Sequence, residues 1–251
     1  MDFKTLQVSD EGTILRVQLD RPEEGNSVDS QMLTELLAIL RALEDDHTVR
    51  VMVLSGAGDH FCQGGDRTEF PELLAQDTSG AALRALGEKA QRVCSALSQL
   101  RLVTIARCHG DVIGAGLGLA VFCDLRVGAD TSRYRMPEVG LGVPPAWGGV
   151  LPRLAAEAGQ AQVRRLLLTA EAFDAARAKQ MSILHEVVPA DDLDAAVARL
   201  AKPLARRDPT TVRITKNMLN ALAGANQLSV GSYADDEFLT AAMARRALLR
   251  R

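Results

Sequence analysis

His60-Phe61-Cys62-Gln63-Gly64-Gly65-Asp66 and, further along, His109-Gly110-Asp111-Val112-Ile113-Gly114-Ala115-Gly116-Leu117-Gly118 decide how this chain is read. Each stretch follows an apolar, β-like run, Val51-Met52-Val53-Leu54 for the first and Leu102-Val103-Thr104-Ile105-Ala106 for the second. In each, small residues let backbone N–H groups face open space. The second stretch opens an apolar helix, so its free N–H groups also lie at the positive end of a helix dipole. Two backbone donors converging from separate loops stabilise a carbonyl oxygen as it gains negative charge. The competing reading is that these glycines serve only tight turns and helix packing.

Outward from these loops the order is strand, loop, helix, strand, loop, helix, strand, which predicts an α/β fold with a mainly parallel sheet. Leu6-Gln7-Val8 and Ile14 to Leu19 flank Asp10-Glu11-Gly12 and read as a β-hairpin. Arg21 to Asn26 is a loop. A helix follows with Asp29 or Ser30 as N-cap, and Leu33, Leu36, Leu37, Leu40 and Leu43 share one face. Residues 67–82, with Pro71 and Asp77-Thr78-Ser79-Gly80, are expected to form a mobile loop before a helix from about Leu83 to Leu100. Leu125 to Ala129 is a further strand. Beyond residue 152 the pattern is mostly helical, with Asp191-Asp192 and Pro209-Thr210-Thr211 as helix starts. Leu204, Ile214, Leu219 and Leu222 are then apolar residues to be buried against the core or a neighbouring subunit.

The composition narrows the function. With 251 residues and 47% hydrophobic content, one large domain with an appendage is affordable. A net charge of -3 supplies no field for nucleic acid or an anionic membrane. The four cysteines, Cys62, Cys94, Cys108 and Cys123, show no metal-type pairing and read as buried thiols of a reducing cytosol. Met1-Asp2-Phe3-Lys4 lacks the apolar stretch of a signal peptide, and no apolar run is long enough for a bilayer. A cytoplasmic protein is expected. There is no metal-ligand cluster, nicotinamide fingerprint or Walker-type loop.

Taken with Met136-Pro137-Glu138, Leu141-Gly142, Trp147-Gly148-Gly149, Arg21-Pro22 and Asn26, Phe173-Asp174-Ala175, Val187-Val188-Pro189 and Thr215-Lys216, the two glycine stretches resemble the crotonase (enoyl-CoA hydratase/isomerase) superfamily over nearly the whole chain. The resemblance implies a crotonase-like spiral of ββα units, an acyl-CoA-binding core over residues 1–195, and a helical C-terminal trimerisation region over 196–251. It implies oxyanion donors at the N–H groups of Gly65 and Ala115, and coenzyme A contacts around Arg21, Pro22, Asn26, Gly64 and Asp66. Coenzyme A would be part of the substrate, with no prosthetic group, and the assembly a trimer or paired trimers. No clear match to the family's terminal lysine-arginine segment exists near Arg245-Arg246.

The chain departs from the family at one position that matters. Family hydratases use two glutamates; one aligns with Glu138 and the other with Gly118, where no carboxylate exists. A single carboxylate suits moving a proton between two carbons of an enolate, whereas adding water also requires a group to orient and deprotonate the water. The expectation is an isomerase with Glu138 as shuttling base. Its rivals are a hydratase with a substitute acid, Asp111 first, and a non-catalytic acyl-CoA-binding protein. Thioester hydrolysis or decarboxylation on the same scaffold is a further possibility. A solvated loop carboxylate is the competing reading of Glu138. His60 and His109 are expected to satisfy backbone carbonyls, Asp66 to fix its loop or sit near the coenzyme, and Trp147 to wall the acyl pocket or fill the core.

Overall fold

Of the first two strands, the second keeps the apolar alternation of the sequence, burying Leu15, Val17 and Leu19, while the first buries only Leu6 and leaves Val8 exposed. In the computed structural model, which describes residues 3–77, 79–225 and 241–243, β1 (Leu6–Asp10) and β2 (Ile14–Leu19) pair antiparallel with Leu6 opposite Leu19. Next to β2, and parallel to it, runs β3 (Val51–Gly56), followed by β4 (Val103–Cys108), β6 (Leu125–Ala129) and β9 (Glu186–Val188). A smaller sheet holds β5 (Asp111–Ile113), β7 (Arg133–Arg135) and β8 (Ala172–Asp174), with β5 parallel and β8 antiparallel to β7. Strands β4 and β5 lie in different sheets and lead into α4 (Ala115–Phe122), so the chain turns a corner at His109-Gly110. This is the ββα step of the expected spiral.

Two apolar layers hold the large sheet, as expected when both faces of a parallel sheet are covered. Met52 and Leu54 face the main core, which also contains α1 (Ser30–Asp45), α3 (Ala81–Gln99) and α4. Val51 and Val53 face the other way, onto Leu193, Ala196, Val197 and Ala201 of α8 (Leu193–Leu204). Asp29 is the N-cap of α1, its carboxylate accepting from the Met32 N–H at 2.7 Å. Leu33, Leu36, Leu40 and Leu43 are buried, and Leu37 is half-buried against them. All four cysteines are buried and free. Helix α4 is buried on every side, which makes it a core helix and not an amphipathic one.

The structure bears on three expectations and overturns the first. Residues 67–82 are largely helical: α2 spans Glu69–Gln76 and α3 starts at Ala81. Asp66 Oδ1 accepts from the N–H groups of Thr68 and Glu69, and Pro71 lies in the first turn, where its missing N–H costs nothing. Asp77 accepts from the N–H groups of Ser79 and Ala82, so a turn-like composition here closes one helix and opens the next; Thr78 lies outside the described residues. Second, the boundary at residues 195 and 196 cuts α8, whose Ala196, Val197 and Ala201 belong to the core. Third, Ile214 and Leu219 of α9 (Pro209–Ala225) are 48% and 61% exposed and Leu204 is half-buried, so of the two expected coverings, the core or a neighbouring subunit, the core leaves Ile214 and Leu219 open. The side chain of Leu222 and the tail at Arg245-Arg246 lie outside the described residues. Among the described residues no helix is long and apolar enough to cross a membrane.

Candidate active site

Hydrogen bonds stitch the two glycine loops side by side. Cys62 N–H donates to Asp111 O at 3.1 Å, and Ile113 N–H donates back to Cys62 O at 2.9 Å. Gly116 lies directly against the backbone and thiol of Cys62, where a Cβ would collide, so the start of α4 presses on the first loop. Gly64 (φ 112°) and Gly114 (φ 51°, ψ −115°) both adopt backbone that side chains disfavour. The N–H of Gly114 is taken by Arg135 O at 2.9 Å, but those of Gly65 and Ala115 have no hydrogen-bond partner among the described residues. Both residues line one cavity of about 670 Å³. Phe70, Pro71 and Leu74 of α2 wall it on one side, with Leu141, Val143, Pro144, Trp147 and Met243 completing an apolar lining.

Glu138 enters this cavity from the turn after β7. Its own carbonyl accepts from Leu141 and Val143 N–H groups, both at 3.0 Å, which fixes the turn. A Cβ placed on Gly114 would lie 3.0 Å from Glu138 Oε1, so the carboxylate reaches the mouth of α4 beside Ala115. Its Oε2 is buried without a partner, and burial pushes the carboxyl up to about 7. A carboxyl that titrates near neutrality and faces a cavity has the character of a general base. Among the described residues lining the cavity it is the sole carboxylate.

The loop expected to meet coenzyme A is braced from within. Arg21 donates to Ser27 O at 2.6 Å and Asp66 Oδ2 at 3.0 Å, and pairs with Asp29 at 3.2 Å. Asn26, with φ 53° and no accessible surface, accepts from Arg21 N–H and donates to the carbonyls of Ala57 and His60. Its side chain is taken up in holding the loop. Pro22 opens a short helical turn over Pro22–Glu24 and packs against Gly58. Asp66 is 8% exposed. Burial works upward on its carboxyl, but hydrogen bonds from Thr68, Arg21 and Glu69 outweigh it and hold the group at about 2. Asp66 therefore fixes the loop, and the adjacent Arg67 is the charged residue exposed at the cavity wall.

The other candidates stand outside. Asp111 accepts from Gln63 Nε2 at 2.8 Å, its N–H donates to His60 Nδ1 at 3.1 Å, and it is not part of the cavity wall. His109 donates from Nε2 to Gly58 O at 2.9 Å and accepts from Arg107, which is the backbone-satisfying role expected of it. Sequence reasoning missed Arg126. This fully buried arginine donates to the carbonyls of Val121 and Cys123 at the end of α4, to Ile183 O, and to Glu157 at 2.8 Å. It anchors the far end of the helix whose near end carries Ala115. In a strand its neighbours Leu125 and Val127 lie on the opposite face, so no local signal in the sequence announces its burial. Lys216, on α9, is likewise buried, and donates to Asp124 at 2.7 Å and Leu102 O at 3.0 Å.

At Gly118 the structure adds what the sequence could not. A Cβ there would lie 2.7 and 2.8 Å from Trp147 Cζ3 and Cε3. The place of the absent carboxylate is covered by an indole.

The sequence pattern of the enoyl-CoA hydratase/isomerase family matches residues 9–248. The chain belongs to that family. A probable enoyl-CoA hydratase of Mycobacterium tuberculosis is 31% identical over 220 residues, 88% of this chain and 82% of that protein. A peroxisomal Delta(3,5)-Delta(2,4)-dienoyl-CoA isomerase of Arabidopsis thaliana is 30% identical over 228 residues, 86% of this chain and 82% of its own. The solved structure of AtuE from Pseudomonas aeruginosa superposes with a TM-score of 0.83 at 32% identity, covering 87% of this chain and 83% of that one. The crotonase fold is thus established, and the family's substrates are acyl-CoA thioesters. Both hydratases and an isomerase stand among the relatives at about the same identity.

Proposed function

We propose that this enoyl-CoA hydratase/isomerase family enzyme moves a double bond, converting a 3-enoyl-CoA to the 2-enoyl-CoA. The observation that carries this reading is Glu138, the one carboxylate among the described residues that line the cavity, with Trp147 over the position of a second acid. The thioester oxygen lies between the N–H groups of Gly65 and Ala115. Ionised Glu138 removes a proton from the carbon next to the carbonyl; the C–H electron pair becomes a carbon–carbon double bond to the carbonyl carbon, conjugated with the 3-double bond, and the carbonyl π pair moves to the thioester oxygen. The same group returns the proton to the far carbon of the extended enolate, so no atom is gained or lost. Each backbone donor contributes about 2.7–4 kcal/mol to holding the enolate. The coenzyme runs along the loop from Arg21 to Val28 and past Gly64 to Arg67. An oxygen with no partner and a carboxyl held near 7 support Glu138 as the base.

A hydratase would need a second group to hold water. Asp111, the first candidate, is engaged by Gln63 and His60 away from the cavity. The exposed Ile214, Met218 and Leu219 on α9 support packing of that helix on another subunit, in a trimer or paired trimers. Four buried, free thiols support a cytoplasmic setting. The deciding experiment is product analysis with a 3-enoyl-CoA. The expected result is accumulation of the 2-enoyl-CoA, abolished in Glu138→Gln. Accumulation of 3-hydroxyacyl-CoA instead would replace this reading with hydration.

A further inference from the structure

Trp147 is the sole tryptophan of the chain, and the backbone is shaped to hold it where it is. Gly148 and Gly149 follow with φ of 59° and 77°, a left-handed pair that turns the chain sharply into α5 (Val150–Ala158). A side chain at Gly148 would meet Cys94 Sγ at 2.6 Å, so the turn lies directly on α3. The turn leaves the indole half-buried, with its Cζ3–Cε3 edge against Gly118 and its exposed part in the cavity wall. Gly118 itself is buried and does not line the cavity. The indole is therefore a plate between the cavity and the bare backbone of α4. Behind it lies Val150 Cγ2, 3.7 Å from a Cβ on Gly118, so the space under the plate is apolar.

We infer that Trp147 is the specificity-determining residue for the acyl group, closing the cavity over Gly118 and so limiting the length of chain it accepts. The inference rests on the reading above that the cavity takes the acyl part of a coenzyme A thioester. It makes two opposite predictions from one contact. Removing the indole opens the apolar space down to Gly118 and Val150, so longer chains fit. Adding a methyl at Gly118 forces the indole edge toward the cavity, because contacts of 2.7 and 2.8 Å cannot persist, so shorter chains are favoured. Gly118 touches no ligand in this geometry, and only displacement of Trp147 transmits its effect.

The test is a binding series that needs no turnover. Saturated acyl-CoAs from butanoyl to dodecanoyl are titrated calorimetrically into wild-type protein, Trp147→Ala, Trp147→Phe and Gly118→Ala, with circular dichroism to check folding. In the proteins that retain tryptophan, indole fluorescence is followed as well. The ratio of long-chain to short-chain affinity should rise by roughly tenfold or more in Trp147→Ala, the scale that one or two methylenes carry in an apolar pocket. Trp147→Phe should lie between, and Gly118→Ala should shift the ratio the other way. Wild-type fluorescence should change with acyl length at saturation. Acyl-CoAs that bind with the same length profile in all four proteins would overturn the role of Trp147 and leave the cavity reading intact. No binding of any acyl-CoA by folded wild-type protein would overturn both.

Discussion

The bracing around Arg21, Asn26 and Asp66 stands behind the Gly64, Gly65 and Arg67 edge of the cavity whose wall holds Glu138 and Trp147, yet the two are built on opposite terms. In the first, buried polar groups are tied to named partners: Asn26 alone links Arg21, Ala57 and His60. In the second, a buried carboxylate oxygen has no partner and the surroundings are apolar. Satisfied groups fix the loop that carries Gly65; the unsatisfied one leaves the Glu138 carboxyl raised to about 7. A buried polar group left unpaired costs free energy that folding alone gives no reason to spend. On the proposed reading, the first region is structural and the second does the chemistry.

The largest expected effect breaks the chemical half. Glu138→Gln should lower isomerisation by about 10²–10⁴-fold, the usual contribution of a positioned base, while coenzyme A affinity persists. In the wild type, turnover should rise with pH and level off above about 7, where the carboxyl is ionised. The sign for stability is the reverse. A carboxyl raised from 4.5 to about 7 holds its proton more tightly in the fold, so wild-type stability falls as pH rises through that window. Glu138→Gln should therefore be the more stable protein at pH 9, by on the order of 3 kcal/mol, with the difference vanishing below the ordinary carboxyl range. Denaturant melts at several pH values give the curve; wild-type turnover in the mutant would reject Glu138 as the base.

Gly114 tests how closely the second glycine loop and the Glu138 carboxylate are coupled. At φ 51° and ψ −115°, alanine pays for strained backbone and its Cβ meets Glu138 Oε1 at 3.0 Å. Gly114→Ala should cost about 1–3 kcal/mol of stability and reduce kcat more than it weakens binding. A fall in affinity with unchanged kcat would show that the carboxylate and the loop act separately.

Asp66 tests the braced half. Its carboxyl is held at about 2 against an ordinary 3.8, so it contributes stability above the ordinary value that is lost as pH falls toward 2. Asp66→Asn should be less stable than wild type at pH 7 by about 2 kcal/mol, and the gap should close in urea melts near pH 2. A gap that stays constant with pH would mean that shape, not charge, is what Arg21 and Thr68 recognise.

How much of this could be read in advance follows the range of the interactions. The leucine face of α1, the β1–β2 hairpin and the glycine stretches are local patterns, and they are where expected. Glu138 was found by resemblance, and its unpaired oxygen only by structure. Residues 67–82 misled because Asp66 and Asp77 cap helices with side chains that also suit turns. Arg126 and the plate of Trp147 on Gly118 depend on segments far apart in the chain, and no local pattern carries them.

Asp111 should give the smallest effect, and that smallness is informative. Its carboxylate accepts from Gln63 at 2.8 Å, and Gln63 reaches both Gly25 and the cavity wall. Asn in its place keeps an oxygen for Gln63 to meet and removes only the charge. If Asp111 belongs to the bracing, Asp111→Asn leaves isomerisation within about threefold, since a neutral acceptor loses roughly the difference between a charged and an uncharged hydrogen bond at a half-exposed site. If it is a second acid, the same substitution removes any hydration product and leaves the double-bond shift in place. Because Glu138→Gln should lower both reactions together, the split between the two products in Asp111→Asn is what separates an acid acting on water from a residue that holds a loop.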